Sequence, residues 1–167
     1  TMVIHAATPA SAALNEGDIV ETPAGGFAQL EFDDGVIVGV GDDSRLILKP
    51  RLTGPKGIGS PRHYLLDGWL KVRMPAKADA VFGWLAPLVD VEVKAGAVVA
   101  RVQPKAYEVF VESGAAQLMA RDGARATLAL KGGDFVAPAP GADKPGVSAR
   151  LPATFVEQLP RLFRDPL

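Results

Sequence analysis

The side chains of this chain that could do chemistry are few and scattered. Its two histidines, His5 and His63, lie far apart, and there is no cysteine to complete a zinc set. Tetrahedral zinc needs four N or S ligands at short, regular spacings, so exposed loop histidines are the expected case. The pairs Asp33-Asp34 and Asp42-Asp43 bring carboxylates together, as a hard cation or an acid–base dyad requires. Both pairs fall where turns are predicted, and aspartate favours turns by bonding its own backbone. Ser11, Ser44, Ser60, Ser113 and Ser148 supply hydroxyls, yet none stands in the Gly-x-Ser-x-Gly setting of a hydrolase nucleophile. Gly39-Val40-Gly41 lacks the spacing and the following helix of a phosphate-binding fingerprint. Leu151-Pro152-Ala153-Thr154 resembles the start of a sorting signal, but Phe155 stands where glycine is required. No catalytic residue, metal ligand or cofactor is assigned, and the expectation is a binding or scaffolding module rather than an enzyme.

Contact chemistry is better represented. Trp69, Trp84 and Tyr107 offer aromatic faces of the kind that stack on sugar rings, which makes a glycan or peptidoglycan one candidate ligand. A core position is the simpler expectation for Trp69, which begins a strand, whereas Trp84 lies beside Phe82 and Leu85 in an irregular stretch. Phe82, Trp84 and Leu85 are also candidates for contact with a partner protein, as are the C-terminal residues Phe155, Leu159, Arg161, Phe163 and Arg164, which mix apolar anchors with arginines, a composition enriched at protein interfaces. The simpler alternative is that Leu159, Leu162 and Phe163 fold back over an open end of the domain.

The elements that must position these groups are read from composition and alternation. The 167 residues carry 18 Lys and Arg against 19 Asp and Glu, so no basic footprint for nucleic acid is present. No apolar run approaches the roughly 18 residues of a membrane-spanning helix. The start Thr1-Met2-Val3-Ile4 lacks the pattern of a secretory leader, which could have been removed. Fourteen prolines and 18 glycines leave few windows for an uninterrupted helix. Period-two alternation marks strands at 28–32, 89–94 and 107–112. Asp34-Gly35, Asp67-Gly68, Ser113-Gly114, Asp122-Gly123 and Gly132-Gly133 are read as tight turns between strands. Consecutive hairpins of this kind predict a mostly β fold, an antiparallel sandwich or roll. Stretches 50–62 and 138–146 read as loops. A helix over 77–85 and no helix there are equal alternatives, given Gly83 and the flanking Pro75 and Pro87. A short helix is predicted over 153–159, opened by Pro152.

The run Gly17-Asp18-Ile19-Val20-Glu21-Thr22, the segment 25–35 ending Asp33-Asp34-Gly35, and Ser44, Leu46 and Leu48 together resemble the opening of the FecR domain family. Leu65-Leu66-Asp67-Gly68-Trp69-Leu70, the segment 109–118 around Ser113-Gly114, and the segment 128–136 around Gly132-Gly133 are similar to its later strand-Gly-strand elements. The Arg-Gly-Thr-x-Phe phrase of that family is absent, and 74–88 reads as an excursion. The resemblance implies a β domain over 15–137, with an N-terminal extension 1–14, a linker 138–150 and a helical tail 151–167. It further implies a periplasmic localisation and a role in the bacterial envelope through contact with another protein, as a free-standing scaffold or signalling component. A sensor domain in transmembrane sigma-factor regulation is the family's other role.

Overall fold

The computed structural model describes residues 3–5, 12–48, 53–54, 57–58, 62–76, 81–121, 126–139, 141 and 144–164. The fold is mostly β, as predicted. In chain order the strands are β1 (Val3–His5), β2 (Ile19–Thr22), β3 (Ala28–Glu31), β4 (Ile37–Val40) and β5 (Ser44–Ile47). There follow β6 (Thr53–Gly54), β7 (Gly57–Ile58), β8 (Arg62–Arg73), β9 (Phe82–Leu85), β10 (Val89–Gln103) and β11 (Ala106–Ala120). The chain closes with β12 (Thr127–Lys131), β13 (Phe135–Ala137), β14 (Gly146–Ser148), the helix α1 (Ala153–Gln158) and a 3-10 turn, Arg161–Phe163. Apart from the small β6–β7 hairpin, the strands form one open sheet, in the order β1-β2-β5-β8-β9-β10-β11-β13-β14 with β4, β3 and β12 branching from it.

Three long strands organise this sheet, and each carries a phase slip. On β10 the core residues are Val89, Val91 and Val93, then Val98, Ala100 and Val102. On β11 they are Tyr107, Val109 and Val111, then Ala116, Leu118 and Ala120. On β8, His63 and Leu65 are followed by Leu70 and Val72. Side chains of a regular strand alternate between faces, so a change from odd to even positions requires one extra residue. Lys94, Glu112 and Leu66 are those residues, because the cross-strand pairing skips each of them.

Glycine makes the slips possible. Gly96 pairs with Gly114 across the β10–β11 ladder, with φ of +79° and +80°. A Cβ on either would fall on the carbonyl of the facing strand, Ser113 or Ala95. Gly68, at φ +92°, bends β8 over Ser44 in the same way. The sheet thereby folds over on itself around one apolar core. One half holds β2, β5, β9, β12 and the ends of the long strands; the other holds β3, β4, β13 and β14.

Several expectations are corrected by this arrangement. Asp67-Gly68 and Ser113-Gly114 are bends inside continuous strands, not hairpin turns. The sheet is mixed rather than purely antiparallel, since β1 runs parallel to β2 and β9 runs parallel to β8. Residues 82–85 form β9 and not a helix: with Gly83 facing both Arg62 and Glu92, the segment fills the gap between β8 and β10. Gly132-Gly133 does turn, but it steps the chain from β12 to β13, which both pair with β11 rather than with each other. Asp34-Gly35 turns between β3 and β4 as expected. Asp122-Gly123 lies outside the described residues.

Gly114→Ala should therefore cost about 3 kcal/mol or more, because positive φ and a backbone clash coincide. Gly133→Ala, at φ +95° with open space around it, should cost only about 1 kcal/mol. Urea unfolding of the two variants checks the order, and equal costs would contradict the bend.

Candidate functional site

The residues that carry the FecR resemblance in the first half of the chain have structural duties. Gly17 takes a positive φ and donates its N–H to the Leu48 carbonyl at 2.6 Å. Asp18 is buried, and its Oδ2 accepts the Asn15 N–H at 2.7 Å. Thr22 donates its hydroxyl to the Gly41 carbonyl and accepts the Ser44 N–H. Ser44 Oγ in turn accepts the Trp69 N–H at 2.7 Å and donates to the Asp42 carbonyl at 2.8 Å. A buried polar group without a partner costs about 1–3 kcal/mol, so this relay ties β2 and β5 to the β8 bend at Gly68. Asp42-Asp43 and Asp33-Asp34 occupy turns, with Asp43 at φ 47° and Asp34 Oδ1 accepting the Val36 N–H.

The aromatic residues considered for sugar binding are separated and covered. Trp84 and Tyr107 belong to the main core, at 0% and 1% exposed, together with Phe82. The Trp84 indole N–H has no acceptor among the described residues. Trp69 lies on the opposite face of the sheet, under the C-terminal segment. His63, expected in an exposed loop, is instead a buried strand residue stacked on Phe82 at 4.8 Å and tilted against Phe32 at 5.4 Å. Burial holds its pKa down at about 4, with the Asp34 carboxylate pulling the other way. The His5 side chain lies outside what is described.

The C-terminal residues converge on one place, the outer face of β8, β10 and β13. Phe155 packs against Trp69 and Phe135 with ring centroids 5.4 and 5.2 Å away, and Phe163 meets Phe27 edge-on at 6.1 Å. Val99 completes the cluster, and Leu159 is half-buried beside it. Lys71 is buried in this face, where Nζ donates to the Phe163 carbonyl at 2.8 Å and pairs with Glu112 at 3.2 Å. Arg101 lies over the Trp69 ring at 5.3 Å and donates to Gln158. Burial pushes the neighbouring Glu108 carboxyl above its ordinary pKa, against the pull of Arg101. Arg161 and Arg164 are exposed, and Arg164 donates to the carbonyls of Val156 and Glu157 at the end of α1. The tail thus folds back over the domain through Phe155, Leu159 and Phe163, while Arg161, Leu162 and Val156 face solvent.

Sequence reading missed a second surface. Ile19, Ile47, Tyr64 and Leu85 are cross-strand neighbours in one unbroken row over β2, β5, β8 and β9, all half-buried on the outer face of the other half-sheet. Salt bridges flank the row, Arg45–Glu21 at 2.5 Å and Arg62–Glu92 at 3.3 Å, the latter spanning Gly83. Of these only Leu85 stood out in the sequence, because a row across four strands becomes visible only once register and the parallel β8–β9 pairing are known.

Two outcomes follow from these placements. Trp84→Ala should cost about 3–5 kcal/mol in thermal or urea unfolding, as core truncation does, whereas Trp84→Phe, which removes the unpaired N–H, should cost under about 1.5 kcal/mol. For His63, the unfolded chain binds a proton near pH 6.5 and the folded one only near pH 4. Stability should therefore fall as pH drops through that window and level off below it, by about 3 kcal/mol in all. His63→Phe should remove that share of the slope, measured as the difference between the two stability profiles.

No protein-family profile and no curated protein sequence matches the chain. Two crystal structures of a proposed anti-sigma factor from Parabacteroides distasonis ATCC 8503, at 1.65 and 2.50 Å resolution, share its fold, each with a TM-score of 0.63 at 11% and 12% identity. The match covers 78% of this chain and 58% of the neighbour, so the chain spans less than two thirds of that protein's length. At such identity the likeness establishes the fold.

Proposed function

We propose that this chain is a FecR-like, non-enzymatic module of a bacterial regulatory system, acting in the periplasm by contact with another envelope protein. The observation that carries this reading is the fold it shares with a proposed anti-sigma factor over 78% of its length. The sequence resemblance over 15–137 points the same way by a separate route. The half-buried row of Ile19, Ile47, Tyr64 and Leu85 supplies apolar area of the kind that protein contacts use. A role as the sensor part of transmembrane sigma-factor regulation draws on the same likeness. A glycan-binding role has less behind it: Trp69, Trp84 and Tyr107 are all buried, and a sugar would reach Trp69 only if the tail moved aside.

In the native host, the full-length tagged protein should fractionate with the periplasm, and its deletion should change transcription of one extracytoplasmic sigma-factor regulon. Retention in the cytoplasm, or an unchanged transcript profile under envelope stress and iron limitation, would count against the reading.

A further inference from the structure

The segment 151–164 is bound to the sheet in a way that sets it apart from every strand. Its backbone hydrogen bonds among the described residues are local, from Phe155 and Val156 to Pro152, from Leu159 to Val156, from Phe163 to Pro160 and from Arg164 to Arg161. Contact with the sheet runs through side chains and through the Lys71 bond to the Phe163 carbonyl. The helix α1 has six residues, no side-chain cap, no acidic residue in its first turn and no basic residue in its last. Such a helix has no stability of its own in water and is ordered only while docked. The surface beneath it is different: Trp69, Lys71, Val99 and Phe135 stand on β8, β10 and β13, which the sheet ladder fixes whether or not the tail is present.

We infer that this face is a preformed recognition groove for a short helix-and-turn segment with aromatic anchors, and that the chain's own C-terminal segment occupies it as a displaceable strap. The occupant's chemistry is written in the strap. It has two aromatic anchors eight positions apart (163 − 155 = 8), one seated between Trp69 and Phe135 and one against Phe27. It offers a main-chain carbonyl to Lys71 and a polar side chain to Arg101. A protein segment with the same features competes for the site. A tethered strap acts at an effective concentration of about millimolar, so it holds the groove closed against weak ligands and yields to strong or abundant ones. An emptied groove exposes Trp69 and Phe135 and leaves Lys71 without its carbonyl acceptor, so opening is favoured only when a replacement arrives. This inference concerns binding alone and stands or falls apart from the compartment and regulatory role proposed above.

The test uses the full chain and a fluorescein-labelled peptide of residues 151–164. Phe155→Ala together with Phe163→Ala in the protein weakens its own strap, and this variant should bind the peptide about ten-fold or more tighter than the unaltered chain. A peptide with both phenylalanines replaced by alanine should not bind. Hydrogen exchange on the unaltered chain needs no variant: the amides of Phe155, Val156, Leu159 and Phe163 should exchange about a hundred-fold faster than those of Val98, Ala100 and Val102. The open fraction measured that way should equal the ratio of the two peptide affinities. Equal protection of strap and core would overturn the strap. A folded double variant that binds no better than the unaltered chain, or that binds the alanine peptide as well, would overturn the groove.

Discussion

Where Gly96 faces Gly114, two backbones approach too closely for any side chain, and both strands turn together at positive φ. The bulged residues Lys94 and Glu112 beside them invert the alternation of β10 and β11, so each strand presents apolar side chains to the core on both sides of the bend. Gly68 and Leu66 do the same for β8. A flat sheet of this many strands would bury one face and leave the other to water. Folded at these glycines, it encloses Val91, Val98, Val109 and Leu118 in a single core.

The bend also decides what the two outer faces become. Glu112, displaced outward by the slip, meets Lys71, and Lys71 reaches the tail. One face is then sealed by an aromatic cluster built from Trp69, Phe135, Phe155 and Phe163. The other carries the row of Ile19, Ile47, Tyr64 and Leu85 between charged neighbours. The motif residues Gly17, Thr22 and Ser44 serve this architecture by tying strands together.

Much of the fold was legible in the sequence, and each miss has its own physical cause. Alternation over 89–94 and 107–112 marked strands correctly, and Pro152 with Phe155 marked the closing helix. Ser113-Gly114 and Asp67-Gly68 were read as turns because a glycine at positive φ serves a tight turn and a bulged bend equally well. The phase of the alternation does not separate the two, because a two-residue hairpin at Ser113-Gly114 would also put Val109 and Val111 on one face with Ala116 and Leu118. The position of β9 was not legible, since its parallel pairing to β8 leaves no local mark in the sequence. For the candidate sites, aromatic content alone could not separate Trp84 in the core from Trp69 beneath the tail. Lys71 escaped notice because nothing local distinguishes a buried lysine from a solvated one.

The central claim is that β10 and β11 are continuous strands bent together at paired glycines. Interstrand NOEs on labelled protein test it most directly. The account predicts an antiparallel series running from Val89 with Ala120, through Gly96 with Gly114, to Gln103 with Ala106, with register shifts at the bulged residues Lys94 and Glu112. Cross-peaks that instead close a hairpin at Ser113-Gly114, pairing Val111 with Ala116 and Val109 with Leu118, would contradict it.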